Sequence, residues 1–158
     1  MHISLVTPGG KLVRNGNATT ATRWERILRS LGHRVNVTEH DEKCDADMMI
    51  AIHAWRSRHS IQRFAKARPN RPLVVCLAGT DIYRFQYSHP SETINSIELA
   101  DVLVCLHELV YLSISSHFHN KMRVIHQSAL PLSSPRKLPK KNIWCLCHWT
   151  SAWWKRSA

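Results

Sequence analysis

The chain has 158 residues, 44% of them hydrophobic, and a formal net charge of +11. That length accommodates one ordinary domain with a real core. It contains no run of 18 apolar residues and no basic-then-apolar leader, which speaks against a membrane span and a signal peptide and makes a cytoplasmic protein the expectation. Five cysteines without framework spacing fit reduced core residues, with Cys44, Cys76 and Cys105 in or near apolar segments. The charge is unevenly placed. All 11 acids precede residue 109, so the body carries 16 basic residues against them, while residues 136–158 carry six basic residues and no acid. A modestly basic body suits an anionic small molecule or surface. It is weak ground for nucleic acid, because its basic residues form no dense run with interleaved aromatics.

Taken in order, Ile3, Leu5 and Val6 form a short apolar strand that stops at Pro8-Gly9-Gly10. The following loop, to Asn17, holds three of the five glycines, which permit tight turns and close backbone approach to a ligand. Trp24, Ile27, Leu28 and Leu31 recur at i, i+3, i+4 and i+7 and predict a helix packed on a sheet. Thr22 and Glu25 have capping-box spacing, with Asn17, Thr19 and Thr20 as rival caps, and Gly32 suits the C′ position. Such a unit aims free helix N–H groups at whatever lies above the strand end, commonly an anion. The loop lacks both G-x-G-x-x-G and G-x-x-x-x-G-K-[ST], so it is neither a dinucleotide fingerprint nor a P-loop.

A second strand covers Val35–Thr38, and Glu39–Asp47 reads as a loop. Met48–Ile52 is apolar throughout, as a strand covered on both faces requires, and His53-Ala54-Trp55-Arg56 follows at its carboxyl end. A helix over 57–67 places Ile61, Phe64 and Ala65 on one face before Pro69 and Pro72 end it. Leu73–Leu77 is a fourth strand ending at Ala78-Gly79-Thr80-Asp81. Residues 82–90 read as an irregular aromatic loop, 91–100 as a helix capped by Ser91 with Ile94, Ile97 and Ala100 inward, and Val102–Leu106 as a fifth strand. A helix over 108–118 shows a partial stripe through Leu109, Leu112 and Phe118, and Met122–His126 is a sixth strand.

Strands alternating with helices predict an α/β fold: a Rossmann-like, doubly wound parallel sheet with right-handed crossovers. Ligands of such sheets bind at the carboxyl ends of the strands, near the reversal of strand order. The candidate substrate-binding residues are therefore Gly9, Gly10 and Asn17 after the first strand, His53 and Arg56 after the third, and Thr80 and Asp81 after the fourth, with Gln127 a further polar group after the sixth. The glycines can bring amides to a phosphate or simply turn the chain. Asn17 can cap the helix or touch a ligand. His53 can bind an anion or sugar hydroxyl or be a satisfied core histidine. Arg56 offers a planar fork suited to phosphate oxygens, or a surface ion pair. Thr80 and Asp81 can orient a hydroxyl or hold a basic neighbour.

Residues 130–141, with three prolines and four bases, read as an exposed linker. Residues 142–158 hold four of the six tryptophans, and so much aromatic area marks an interface or an aggregation liability. Cys145-x-Cys147-His148 lacks a second ligand pair at a zinc spacing, so no metal is expected there or elsewhere.

Six segments resemble a known pattern: SLVTPGG (4–10), GNATTATRWERILRSLGHRV (16–35), IAIHAWRS (50–57), RPLVVCLAGTDIY (71–83), SIELADVLVCL (96–106) and RVIHQSA (123–129). Over residues 2–129 the chain resembles the N-terminal half of GT-B glycosyltransferases, in the group of glycogen-synthase-like and sucrose-synthase-like retaining enzymes. Within it, the chain is most similar to the selenosugar synthase family of selenoneine biosynthesis. The resemblance implies one half of a GT-B fold: an acceptor-side domain over 1–129, an interdomain linker over 130–141, and then a donor domain. It implies a UDP-sugar donor, selenophosphate as anionic acceptor, carbon–selenium bond formation without a metal, and no cofactor besides the donor. Residues 142–158 do not resemble the start of a donor domain, so the expectation is a truncated or frame-shifted, inactive fragment. It names no catalytic residue here. A stand-alone anion-binding or regulatory α/β module without catalysis is the alternative, and a nucleic-acid binder acting through the basic tail is a third class.

Overall fold

The computed structural model describes residues 1–10, 13 and 15–127. The linker and tail expected over 130–141 and 142–158, with the Cys145-x-Cys147-His148 cluster, lie outside the described residues.

The protein contains a six-stranded parallel sheet of order β2-β1-β3-β4-β5-β6, flanked by α-helices in a Rossmann-like α/β arrangement. The strands are β1 (His2–Val6), β2 (Arg34–Thr38), β3 (Met48–Ile52), β4 (Leu73–Cys76), β5 (Val102–Cys105) and β6 (Met122–Val124). The helices are α1 (Gly16–Ser30), α2 (Arg58–Ala67), a short α3 (Gln86–Ser88) and α4 (Pro90–Leu99). β3 shows why its sequence has no polar alternation. Met49 and Ala51 join the cluster containing Ile61 and Phe64 of α2 and Ile97 of α4. Ile50 and Ile52 point the other way and join Ala21, Trp24 and Leu28 of α1. The chain winds from β1 to β2 over one face and from β3 through β5 over the other, as right-handed crossovers demand when the direction of travel reverses. The reversal lies between β1 and β3, and their carboxyl ends open a crevice there.

Several local expectations change in the folded chain. The α1 cap is Asn15, whose Oδ1 accepts from the Ala18 amide at 2.8 Å, and not Asn17, Thr19, Thr20 or Thr22. Glu25 is buried and pairs with Arg29 at 2.8 Å instead of closing a capping box. Ile27 and Leu31 are exposed, because the face of α1 against the sheet runs through Ala18, Ala21, Trp24 and Leu28. Gly32 does end α1, at φ +84°, with its amide and that of His33 reaching back to the Arg29 and Leu28 carbonyls.

Residues 82–90 are not an irregular loop. Asp81–Phe85 forms a π-helical turn that continues into α3, and α4 then starts at Pro90 rather than behind a Ser91 cap. The helix expected over 108–118 is two 3₁₀ turns, Glu108–Leu112 and Ser116–Lys121. Val110, Ile114 and Phe118 enter the core there, leaving Leu109 and Leu112 exposed. Cys44, Cys76 and Cys105 are buried free thiols. Burial, helped by the Asp81 carboxylate, pushes Cys76 up to about 12 and Cys105 up to about 11, so both stay neutral and behave as apolar core groups.

Candidate functional site

The crevice at the β1–β3 reversal is a cavity of about 620 Å3. The β1–α1 connection forms one wall, with Pro8, Gly9, Val13 and Asn15. The chain turns there because Gly9 and Gly10 sit at φ +78° and +63°. At Gly9 a side chain is also excluded sterically, since a Cβ would lie 2.6 Å from Val13 Cγ2. The start of α1 projects into the crevice. Asn15 caps the Ala18 amide, while the amides of Gly16 and Asn17, as the first of the helix, have no intrahelical carbonyl to meet. Glu39 and His40, following β2, line the same crevice, and the Gly9 amide donates to Glu39 Oε1 at 3.2 Å.

The opposite wall follows β3. Trp55, Arg56 and Arg58 line it. The Phe85 ring stacks on the Trp55 indole, with centroids 4.1 Å apart and planes within 7°. The Arg58 guanidinium packs over the same indole at 4.8 Å, and its Nη1 donates to the Trp55 carbonyl at 3.0 Å. Arg58 is therefore held by stacking and a hydrogen bond, leaving the rest of its fork for an acceptor. Arg56 is exposed, with its guanidinium 5.7 Å from the Phe85 centroid. Among the described residues, neither arginine meets a carboxylate in an ion pair.

Beneath this wall lies a buried polar knot. His53 is 1% exposed and holds φ +75°, a left-handed conformation costing a side-chain-bearing residue roughly 1–3 kcal/mol. Its surroundings over-determine that geometry: its amide donates to the Cys76 carbonyl at 2.8 Å, and its carbonyl accepts from the Ser57 amide at 3.0 Å. The Arg56 amide donates to His53 Nδ1 at 3.2 Å, so the ring proton sits on Nε2 and is donated to Thr80 Oγ1 at 2.9 Å. With its oxygen accepting from His53, the exposed Thr80 hydroxyl keeps its own proton for the crevice that it lines. Asp81 is fully buried. Its Oδ2 accepts the amides of Ala54 at 2.9 Å and Ala78 at 3.1 Å, and its Oδ1 accepts that of Ile82 at 3.1 Å.

Of the residues singled out in the sequence, Gly9, Asn17, Arg56 and Thr80 line the crevice. Gly10, His53 and Asp81 do not. The Gly10 amide closes the turn onto the Thr7 carbonyl at 3.0 Å, so it is not presented to a phosphate. His53 and Asp81 support the wall from below rather than touching its contents. Asn15, Gly16, Trp55 and Arg58 are wall residues that strand-end position in the sequence does not single out. The nearness of Arg58 to Arg56 in HAWRSR was the available signal, obscured because Arg58 opens an amphipathic helix.

Burial holds the His53 pKa below its ordinary 6.5, with Arg56 acting in the same direction and the Asp81 carboxylate opposing it. The ring is thus neutral in the fold and binds its proton more readily in the unfolded chain. Its contribution to stability is intact above pH 6.5 and is lost as pH falls through 6.5 toward the lower folded value. Urea unfolding at pH 7.5 and 5.5 is expected to show a larger acid loss for the native chain than for His53→Gln. Equal losses would refute a buried neutral imidazole.

Among the described residues, no group of three or more His, Cys, Asp or Glu is placed to hold a metal ion. No helix among them is long and apolar enough to cross a membrane. No family model matches the chain, and no curated protein matches it in sequence.

Proposed function

We propose that the described unit is the acceptor-side half of a GT-B-type glycosyltransferase, of the kind the selenosugar synthase resemblance implies, and that the crevice binds its anionic, phosphate-type acceptor. One observation carries this reading: at the reversal of strand order, two guanidinium groups, two uncapped helix amides and the Thr80 hydroxyl line one cavity. These are hydrogen-bond donors, and together they suit a tetrahedral oxyanion. Among the described residues, Glu39 is the one carboxylate lining the crevice, and it bounds the anion's position on the β2 side.

An acceptor that is already anionic needs little proton transfer. It needs charge neutralisation and alignment with the anomeric carbon of the donor. Arg56 and Arg58 supply the first, and the start of α1 with Thr80 supplies the second. The donor, a UDP-sugar, belongs to a second domain facing this one, and a single wall cannot align the two reactants.

The reading is tested on the full chain by two-dimensional NMR with inorganic phosphate, and by assay of UDP release from UDP-sugars with phosphate as acceptor. Phosphate is expected to shift the amides of Gly9, Gly16, Asn17 and Arg56 selectively, with no UDP released. Absence of those shifts overturns the anion site. Measurable sugar transfer by this chain alone overturns the assignment as one half of the enzyme.

A further inference from the structure

The crevice does not end at the first turn of α1. Beyond that turn, against the α1-facing side of the sheet, lies a second cavity of about 360 Å3. Its floor is apolar: Ile52 ends β3, Cys76 ends β4, and Ala78 and Leu106 follow β4 and β5. Thr19, Thr20 and Gln127 form its rim, where Gln127 Nε2 donates to Thr20 Oγ1 at 3.2 Å. Among the described residues, no charged side chain lines it, in contrast to the basic crevice. The two cavities share Gly16, Asn17 and Ala78, so they adjoin around the start of α1.

We infer that the two cavities form one site for an organic anion, with a phosphate- or phosphonate-type head at Arg56 and Arg58 and an apolar group of a few carbons over Ile52, Cys76 and Leu106. This rests on the anion-binding reading above and narrows its ligand class. Apolar floor left wet by a bare oxyanion gains nothing on binding, whereas covering it with a hydrocarbon group removes that surface from water. The neutral Cys76 thiol and the aliphatic side chains beside it oppose a second charge at that end. The start of α1, between the cavities, offers its free amides to the head while its next turn, at Thr19 and Thr20, rims the apolar slot. The ligand is then larger than the selenophosphate that the family resemblance implies.

The test is calorimetric titration of the full chain with inorganic, methyl, butyl and hexyl phosphate. Each methylene buried in the slot strengthens binding by up to about fourfold. Hexyl phosphate is therefore expected to bind at least about tenfold more tightly than methyl phosphate. Leu106→Trp and Thr20→Phe, from floor and rim, fill the slot from different elements and are expected to abolish that gain with chain length. Circular dichroism identifies any variant that fails to fold, and the native-chain series is decisive without them. Equal affinity across the series overturns the two-part site while the anion reading stands. No binding of any phosphate at millimolar concentration overturns the anion reading and this inference with it. A chain-length gain that persists in both folded variants places the hydrocarbon elsewhere and also overturns the inference.

Discussion

Replacing Asp81 with alanine is expected to destabilise the protein by about 4 kcal/mol, because three backbone amides lose their acceptor, those of Ala54 and Ile82 where they are buried and that of Ala78 where it is half-buried. Ala54 lies at the turn after β3, and Ala78 and Ile82 flank the turn after β4. Asp81 therefore ties together the two connections that build the arginine wall. Each unsatisfied buried amide costs roughly 1–3 kcal/mol, and a fold of this size has only about 5–15 kcal/mol in total. Asp81→Asn retains one acceptor oxygen but turns an amide group toward the donors that faced the other, so it is expected to fall between native and alanine variants. Urea denaturation measures both. A loss below about 1 kcal/mol for Asp81→Ala would show that solvent or a rearranged turn satisfies those amides.

The second large effect concerns binding. Arg56→Ala and Arg58→Ala are each expected to weaken phosphate binding about tenfold, since a hydrogen bond to a charged group is worth about 1.5–3 kcal/mol. The double variant is expected to lose about 100-fold or somewhat less, because groups sharing a ligand need not act additively. The two arginines differ in a way that the Lys replacements expose. Arg58 stacks on Trp55 and bonds its carbonyl, so Arg58→Lys, which loses the planar fork, is expected to behave nearly like alanine. Arg56 is exposed and less constrained, so Arg56→Lys is expected to retain more of the affinity. Arg26→Ala, on an exposed position of α1, is the control and should leave affinity unchanged. Were that control to weaken binding as much as Arg58→Ala, general basicity rather than the crevice would explain the affinity.

The two classes of effect separate residues that the linear sequence presents alike. Thr80 and Asp81 are neighbours after an apolar strand, and both are polar residues at a carboxyl end. One faces the crevice and the other is sealed beneath it. The difference arises because the turn at Gly79, φ +99°, leads into a π-helical turn that carries Asp81 under the β3–α2 connection. The amides it binds there include that of Ala54, a residue distant in sequence. Likewise His53 looks like a free ligand group after β3, yet its positive φ folds the ring back beneath Thr80.

The sequence by itself determined the α/β alternation, the strands β1 to β5 to within about one residue of each end, the Gly32 stop of α1, and the end of the sheet where polar groups collect. Those features follow from apolar run length, glycine conformation and the chirality of parallel crossovers, which act locally or apply to every sheet of this kind. Only the tertiary structure decided which face of α1 is buried, that residues 81–88 are helical, and that 108–121 breaks into two 3₁₀ turns. It also decided that Arg58 and Trp55 join Arg56 in the wall while His53 and Asp81 support it. Those outcomes depend on which backbone donors and aromatic faces a neighbouring strand's connection brings within hydrogen-bonding and stacking distance, and periodicity along one segment carries no record of its neighbours.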